Sequence, residues 1–417
     1  MATVETCNRT RPQIVSSHSA KRVPIAARAF LRALRSLDST HNGALVVRTP
    51  DGGRHVFGRP EHASDAPVHL HINDWRACGK LLTGGDIGFA EAWRAGWIET
   101  AELTRLLRVA IDNETAMRQL VDAKGVVGWM HRLRHLLNRN SRSGSARNIH
   151  AHYDIGNDFY GLWLDDTWTY SSALFEGDYA LSLAAAQENK YRRIVDALNL
   201  QPGQRVLEIG CGWGGFAEYA ARRGIRVHGI TVSAAQLALA QKRVQRAGLD
   251  ALCQLEFRDY RDLTGHYDAV VSIEMFEAVG EAYWPEYFET VAARLAPGGQ
   301  ALIQSITIED ARFEHYRRGT DFIQQYIFPG GMLPSPARFR TQAAAAGLVN
   351  IGELGFGRDY AETLRRWSVA FESNIEGVRA QGFDESFIRI WRLYLAYCEA
   401  GFDSGRTDVM HFHLWRA

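Results

Sequence analysis

Three alternating glycines are the part of this chain best suited to hold a ligand. Gly210, Gly212 and Gly214 follow the apolar run Val206 to Ile209 and precede a helical pattern. Because glycine lacks a Cβ, it adopts backbone angles closed to other residues and lets the main chain approach a ligand closely. Amides at the start of the following helix would then face that ligand. The spacing predicts a cradle for a nucleotide-type cofactor, with a tight structural turn as the alternative.

The elements around these glycines form a β-α-β pattern. We predict a buried strand over Val206 to Ile209, a helix over Phe216 to Arg223 and a second strand over Arg226 to Thr231. Such a unit implies a parallel sheet that binds its ligand at the carboxyl ends of the strands. A dinucleotide-binding oxidoreductase would end the second strand in an acidic residue, whereas this strand ends in Thr231-Val-Ser233.

Further motifs follow one another on both sides of the glycine loop. They are His152-Tyr-Asp-Ile-Gly-Asn-Asp158, Thr169-Tyr-Ser-Ser-Ala173, Ala185-Ala-Gln-Glu-Asn-Lys190, Gly229-Ile-Thr-Val-Ser233, Gln236, Phe257-Arg-Asp-Tyr-Arg-Asp262, Ser272-Ile-Glu-Met-Phe-Glu277, Tyr326-Ile-Phe-Pro-Gly330 and Leu333-Pro-Ser335. In this order they resemble the S-adenosylmethionine-dependent methyltransferases and, more narrowly, the cyclopropane fatty acid synthase family.

The resemblance implies both a fold and a reaction. The fold is α/β, with a seven-stranded, doubly wound, Rossmann-like class I methyltransferase domain over residues 151–417 behind a small α+β lipid-associated domain over residues 21–121. The reaction transfers the methyl group of S-adenosylmethionine to a double-bond carbon of unsaturated acyl chains in membrane phospholipids. It passes through a carbocation and gives a cyclopropane or a methyl- or methylene-branched chain, and the sequence leaves that choice open.

The N-terminal region carries its own secondary-structure signals. Residues 1–20 are polar and aperiodic, which predicts a flexible tail. The predicted elements that follow are a helix over Pro24 to Leu37, a hairpin of Ala44 to Arg48 and Arg54 to Phe57, a strand over Val68 to Ile72, and helices over Trp75 to Leu82 and Ala101 to Gln119.

Composition narrows the class of protein. The chain has 417 residues, 46% of them hydrophobic, and a formal net charge of +1 at pH 7. Its five cysteines are widely spaced and odd in number, which favours neither a disulfide framework nor a zinc site. No apolar run reaches the ~20 residues that cross a bilayer. We expect a cytoplasmic enzyme with at most peripheral membrane contact, and we leave its oligomeric state, a homo-oligomer included, open.

Residues 122–150 form the most basic segment. Six basic residues and no acidic one lie between Asp122 and Asp154: Lys124, Arg132, Arg134, Arg139, Arg142 and Arg147. Apolar residues at helical spacing predict a basic amphipathic helix, followed by a linker. We interpret Trp129, Arg132, Arg134 and Arg139 as membrane-docking residues for an anionic phospholipid surface. The alternatives are a helix packed on the catalytic domain and a segment that binds nucleic acid. Of the possible partners we expect the membrane surface and not nucleic acid.

The cofactor residues come from the resemblance. It places Tyr170 and Ser171 beside the methionine part of S-adenosylmethionine, together with Gly210, Gly212 and Gly214. It also places Thr231 and Gln236 around the ribose and Asp259 with Tyr260 near the adenine. Ser233 is a further cofactor-binding residue, and Glu208 supports the loop from below. A turn or cap role is the alternative for Asp259.

The reaction needs groups that stabilise a cation and a base that removes a proton. Aromatic faces can serve the first need, and the candidates are Phe175, Trp213, Phe276, Tyr283, Phe322, Tyr326, Phe328, Tyr360 and Trp367. For the second, the family binds a bicarbonate ion with a cysteine, a glutamate, a histidine, a tyrosine and an amide. Glu277, Tyr360 and the Ile306 amide match three of these ligands, whereas Ser172 replaces the cysteine and Gln304 the histidine. A glutamine can orient an anion but cannot shuttle a proton.

Glu274 is a further departure, because cyclopropane synthases usually have glycine there. Two acidic groups in one pocket push their pKa values apart, so Glu274 could serve as a base in place of bicarbonate. The alternative is that Glu274 points outward on a loop. Two other functions stay open: a catalytically silent lipid-binding protein that keeps the cofactor fold, and a small-molecule methyltransferase.

Overall fold

The computed structural model describes residues 23–40, 43–59, 66–115 and 155–417. The predicted tail over residues 1–20 lies outside them. So does the predicted basic helix and linker over residues 122–150, with Trp129, Arg132, Arg134 and Arg139.

The N-terminal unit is a small sheet with helices packed on it. Its elements are α1 (Ile25–Leu34), a 3-10 helix (Arg35–Ser39), β1 (Ala44–Arg48), β2 (Arg54–Gly58), β3 (Val68–Ile72), α2 (Arg76–Arg94), β4 (Ile98–Glu99) and α3 (Leu103–Asp112). The strand order is β2-β1-β3-β4, with β1 antiparallel to β2 and parallel to β3. The predicted helix from Trp75 is longer than expected, because α2 bends at Gly85 (φ 54°, ψ −132°) and then continues to Arg94. Glycine tolerates this conformation, so the bend does not end the helix.

The second unit is built around a seven-stranded sheet. Its strands are β5 (Arg205–Ile209), β6 (Arg226–Thr231), β7 (Cys253–Phe257), β8 (Tyr267–Ile273), β9 (Leu295–Ile308), β10 (Leu348–Gly355) and β11 (Thr407–Arg416), in the order β10-β11-β9-β8-β5-β6-β7. Strands β5 to β9 pair in parallel, and β10 and β11 are antiparallel. The predicted seven-stranded α/β domain is confirmed.

The helices of this unit cover both faces of the sheet and pack against one another beside it. They are α4 (Asn157–Tyr160), α5 (Leu183–Ala197), α6 (Gly215–Ala221), α7 (Ala234–Arg246), α8 (Trp284–Arg294), α9 (Asp310–Tyr316), α10 (Phe322–Tyr326), α11 (Pro336–Ala345), α12 (Gly357–Ser373), α13 (Ile375–Ala380) and α14 (Glu385–Asp403). Short 3-10 helices span Tyr260–Asp262, Phe276–Ala278 and Glu281–Tyr283. Because both faces are covered, β5 is an apolar run in which Val206 and Leu207 are fully buried.

One hydrophobic core runs through both units. It joins residues of α1, β1 and α2 to residues of α12 and α14, including Trp93 of the first unit and Trp391 of the second. Reciprocal hydrogen bonds accompany this packing. The Trp93 indole donates to the carbonyl oxygen of Arg389 (2.8 Å), and the Arg389 guanidinium donates to the carbonyl oxygen of Trp93 (2.6 Å). Across the described ranges, every helix is too short or too polar to cross a bilayer.

Candidate active site

A cavity of about 1280 Å³ lies at the carboxyl ends of β5, β6, β8 and β9. Parallel sheets bind their ligands at this edge. Most of the predicted cofactor residues line it: Tyr170, Ser171, Glu208, Gly210, Gly212, Thr231, Gln236, Asp259 and Tyr260. Gly214 and Ser233 are not among the lining residues. The sheet thus brings together side chains that are widely separated in the sequence.

The three glycines of the loop have different roles. All three have a positive φ, of 86° at Gly210, 51° at Gly212 and 79° at Gly214. A Cβ added at Gly212 would meet no heavy atom within 4 Å, so this position faces the open cavity. A Cβ at Gly214 would lie 3.1 Å from the Cβ of Ala240, so this glycine permits close packing of helix α7. The amide of Gly210 donates to the Ile230 carbonyl (3.0 Å), which ties the loop to β6.

The predicted ribose and adenine residues lie at the ends of β6 and β7. Thr231 Oγ1 is 3.3 Å from Gln236 Oε1, and Ser233 caps helix α7 by accepting a hydrogen bond from the Gln236 amide (3.3 Å). Asp259 forms a bidentate ion pair with Arg261, at 2.8 Å to Nε and 2.6 Å to Nη2. It also caps the following turn by accepting a hydrogen bond from the Arg261 amide (3.0 Å). Both predicted roles of Asp259 are therefore compatible with its position.

Helix α5 holds the segment that carries Ser171. Lys190 Nζ donates to Ser171 Oγ (2.5 Å), and Gln187 Nε2 donates to the Ser171 carbonyl (2.9 Å). Burial lowers the pKa of Lys190 to about 7, although the nearby carboxylates of Glu274 and Glu208 oppose this shift. Burial also raises the pKa of Glu208 to about 8. A buried lysine thus interacts electrostatically with Glu208 at the end of β5 and with Glu274 in the acidic pocket.

Glu274 occupies the centre of the acidic pocket. Its backbone has a φ of 49°, the left-handed region that favours glycine. Its Oε1 accepts hydrogen bonds from the Ser172 amide (2.8 Å) and from Gln304 Nε2 (2.6 Å), and its Oε2 accepts one from the Tyr360 hydroxyl (2.8 Å). Burial raises the pKa of Glu274, and the charge of Lys190 partly offsets that rise. The side chain therefore lies inside the protein, not on an outward loop.

Glu277 is the second acid in this pocket. Its Oε1 accepts a hydrogen bond from the Ile306 amide, and its Oε2 has no hydrogen-bond partner among the described residues. Burial, followed by the charge of Glu274, raises the pKa of Glu277 to about 8. Two carboxyl groups in one desolvated site do not both ionise readily, so the pair can hold a proton at neutral pH.

The structure adds His411, which sequence reasoning missed. Gln304 uses its amide hydrogens on Glu274, so its Oε1 is an acceptor, and a neutral His411 donates to it from Nε2 (2.9 Å). Burial lowers the pKa of His411 well below its usual value, which agrees with the neutral form. The antiparallel pairing of β9 with β11 places His411 opposite Gln304. No local sequence pattern predicts that Gln304 has a partner more than a hundred residues further along the chain.

Two other predicted groups differ from expectation. The Ser172 hydroxyl donates to the Ala173 carbonyl (2.9 Å), so the backbone amide of Ser172, not its hydroxyl, faces Glu274. Among the aromatic candidates, Trp213, Phe328 and Tyr360 line the cavity. The remaining candidates do not line it: Phe175, Phe276, Tyr283, Phe322, Tyr326 and Trp367.

Comparison with known proteins places this site in a family. The model of the family described as mycolic acid cyclopropane synthetase matches residues 140–412. The chain belongs to this family. It is 41% identical to the tuberculostearic acid methyltransferase UfaA1 of Mycobacterium tuberculosis, over 80% of this chain and 79% of that enzyme. It is 33% identical to the cyclopropane-fatty-acyl-phospholipid synthase of Escherichia coli, over 81% of this chain and 85% of that enzyme.

Solved structures agree with this membership. A crystal structure of the mycolic acid cyclopropane synthase CmaA1 complexed with SAH and CTAB matches with a TM-score of 0.60 at 31% identity, covering 65% of this chain and 98% of that one. This family member is accordingly an S-adenosylmethionine-dependent methyltransferase. Its own residues fit that cosubstrate, because Gly212 presents open backbone to the cavity and the buried Oε2 of Glu208 has no hydrogen-bond partner among the described residues.

Proposed function

We propose that this enzyme methylates a double-bond carbon of unsaturated acyl chains in membrane phospholipids and yields a methylene-branched chain, with Glu274 as the base. The observation that carries the proposal is the position of the Glu274 carboxylate. It accepts hydrogen bonds from Ser172, Gln304 and Tyr360, which stand where the resemblance puts three ligands of bicarbonate. The relatives named as fatty acid methyltransferases and as an acyl-phospholipid synthase support the substrate class.

Bicarbonate does not fit beside these carboxylates. The Tyr360 hydroxyl donates to Glu274, and the Ile306 amide donates to Glu277, so both matched donors of the expected ion already have an anionic partner within the protein. A further anion would add a charge to a buried pocket that already holds two acids. The side chain of Glu274 therefore takes over the role of the ion.

The chemistry then balances within the substrate and the protein. When bound, S-adenosylmethionine supplies an electrophilic methyl group. The alkene electrons form the new carbon–carbon bond and leave a cation on the neighbouring carbon. A hydride shift from the methylated carbon moves the cation to that carbon. Glu274 then accepts a proton from the added methyl group, and the electrons of the broken C–H bond form the double bond of the methylene branch.

Two features of the pocket assist this sequence. The Tyr360 ring lines the cavity and stacks on Phe402 with centroids 4.4 Å apart, so its face is fixed beside the reaction site. A desolvated aromatic face stabilises a cation by about 0.5 to 2 kcal/mol. The hydrogen bonds to Glu274 fix the direction from which the proton is removed, and this selects among the possible products.

The proposed substrate lies in a membrane, so the enzyme needs a surface that binds to the bilayer. We assign this role to the basic segment over residues 122–150, which would dock a cytoplasmic enzyme on an anionic bilayer surface. Replacing Arg132, Arg134 and Arg139 by glutamine should weaken binding to anionic liposomes in a flotation assay. Unchanged binding would exclude the docking role.

Isotope labelling tests the product. Cells with and without the protein are fed methyl-deuterated methionine, and their phospholipid fatty acids are analysed by mass spectrometry before and after catalytic hydrogenation. We expect a labelled chain that retains two deuterium atoms on the added carbon and takes up hydrogen as an alkene. A labelled chain that has the mass of the methylene product but resists hydrogenation would indicate a cyclopropane and contradict the proposed branch. The absence of labelled lipid would contradict the function itself.

A further inference from the structure

The cavity extends beyond the reaction site into the N-terminal unit. Its volume of about 1280 Å³ exceeds the roughly 300–1,000 Å³ that is typical of a site for one small ligand. Helix α3 lines it with Leu106, Leu107 and Ile111, and Glu114 just beyond the helix lines it too. The cavity therefore has room for an elongated second ligand beside the cosubstrate.

One end of this cavity is apolar, and the side chains that line it are buried. It is lined by side chains of α1, the following 3-10 helix, β1, β3 and α3, each 7% exposed or less: Phe30, Leu34, Leu37, Leu45, Leu70 and Leu106. All six are hydrocarbon side chains. A ligand group that enters this end must therefore be apolar, because a polar group would lose its hydration without a partner.

The other end is charged and reaches the surface. Arg312 Nη1 lies 2.8 Å from Glu114 Oε2, and Arg406 pairs with the same carboxylate. The side chains of Arg312 and Arg406 are 34% and 23% exposed. From Leu106 to Asp112 helix α3 rises about 9 Å, and Glu114 lies two residues further along the chain. The cavity thus has a polar, exposed end and an apolar, buried end.

We propose that the N-terminal unit holds the methyl-terminal part of the acyl chain, and that this apolar end is closed at a depth that sets which carbons reach the methyl donor. The inference rests on the proposed function, since it assumes an acyl substrate. A phospholipid has the same polarity as the cavity, with its polar headgroup at the end where Arg312 and Arg406 pair with Glu114 and Glu309. Each buried methylene group changes affinity about fourfold, so a closed end discriminates between tail lengths. The matched family model begins at residue 140, outside this unit.

A choice of three substrates tests whether the enzyme selects the double bond by its distance from the methyl end or from the carbonyl end of the chain. Palmitoleoyl and cis-vaccenoyl chains have the same length between the double bond and the methyl end, whereas an oleoyl chain is two carbons longer there. Palmitoleoyl and oleoyl chains instead share the length on the carbonyl side. Phosphatidylglycerol vesicles carrying equal amounts of the three chains are incubated with the full-length enzyme, and the labelled products are quantified by mass spectrometry. We expect palmitoleoyl and cis-vaccenoyl chains to react alike and oleoyl chains to differ.

Substitutions of Leu70 test whether the apolar end of the cavity is where the methyl end of the acyl chain lies. Leu70→Phe shortens the cavity, and we expect the conversion of oleoyl relative to cis-vaccenoyl chains to fall about sixteenfold, because the tails differ by two methylene groups. Ile72→Phe is the matched control, since Ile72 is buried on the same face of β3 but does not line the cavity. Leu70→Ala deepens the cavity and should shift the ratio towards oleoyl, which keeps the test decisive if the larger side chain impairs folding.

The possible outcomes separate the two proposals. An unchanged ratio in an active Leu70 variant, or reactivity grouped by the carbonyl-side length, would overturn the role of the N-terminal unit while leaving the methyl transfer intact. An equal shift in Ile72→Phe would also overturn it. Failure of the wild-type enzyme to convert any of the three chains would overturn the proposed function, and this inference with it.

Discussion

Replacing Glu274 by glycine should convert the enzyme into one that depends on bicarbonate. The change removes the proposed base, and general base catalysis contributes about 10²- to 10⁴-fold to the rate. We expect kcat to fall by this factor in buffer freed of carbon dioxide. Addition of millimolar bicarbonate should then restore activity in a saturable manner, whereas the wild-type rate should not respond.

The contacts of Glu274 explain why the vacated space should bind an anion. Relief of the left-handed backbone at φ 49° favours glycine by about 1 kcal/mol. A hydrogen bond to a charged group is worth about 1.5–3 kcal/mol, and Glu274 accepts three. The variant therefore leaves the donors of Ser172, Gln304 and Tyr360 facing an emptied pocket. Their convergence suits a small oxyanion.

The assay follows transfer of the labelled methyl group to phospholipid vesicles at a series of bicarbonate concentrations. Glu176→Gly is the matched control, because Glu176 also has a positive φ, of 55°, but is about half exposed and does not line the cavity. It should keep the wild-type rate and remain insensitive to bicarbonate. The assignment of Glu274 as the base is refuted if the Glu274→Gly enzyme retains its rate without bicarbonate.

Two other predictions concern the acidic pocket, and a third concerns the glycine loop. The pKa of Glu277 is raised to about 8 by burial and by the charge of Glu274, so the native state keeps a proton that the unfolded chain releases, and stability should fall as pH rises from the ordinary pKa of 4.5 towards 8. The thermal midpoint of Glu277→Gln should fall less over this range, and parallel curves for the two proteins would contradict the shift. Lys190→Met removes a positive charge that lowers the pKa of Glu274, so the acidic limb of the kcat/KM profile should move to higher pH, while Lys190→Arg should leave it in place. Alanine at Gly212 or at Gly214 costs about 1–3 kcal/mol in the left-handed region, because both residues have a positive φ. Only the Gly214→Ala methyl group also meets the Cβ of Ala240, at 3.1 Å, so this variant should lower the thermal midpoint more than Gly212→Ala. Gly212→Ala, whose methyl group enters the cavity, should weaken S-adenosylhomocysteine binding in calorimetry more than Gly214→Ala; the same balance of effects in both variants would contradict their different roles.

Local patterns predicted much of the fold. The alternation and apolar runs gave β1, β2, β3, β5 and β6 within about one residue of their observed bounds. The glycine loop was placed between β5 and its helix because glycine and strand signals are both local. Helix α2 was underestimated, because a pair of glycines commonly ends a helix, and only packing against α14 shows that it resumes beyond Gly85.

The acidic pocket was harder to predict from sequence. The resemblance identified Glu274, Glu277, Gln304 and Tyr360. The sequence alone did not decide whether Glu274 lies in the pocket as a base or points outward on a loop. Its orientation depends on a single backbone torsion and on donors that lie on distant elements. His411 joins the pocket only through the pairing of β9 with β11, which is a nonlocal contact. Nonlocal pairing carries little signal in a single sequence.

The continuous core has a consequence for how this enzyme can be dissected or evolve. Since Trp93 and Trp391 belong to one hydrophobic cluster, the two units should unfold in a single cooperative transition. A truncated catalytic domain that begins near residue 140 would expose the apolar surface of α14 to water, and such patches promote aggregation. The N-terminal unit is therefore not an accessory that can be added or removed freely. Its gain or loss in a lineage would require matching substitutions along α14.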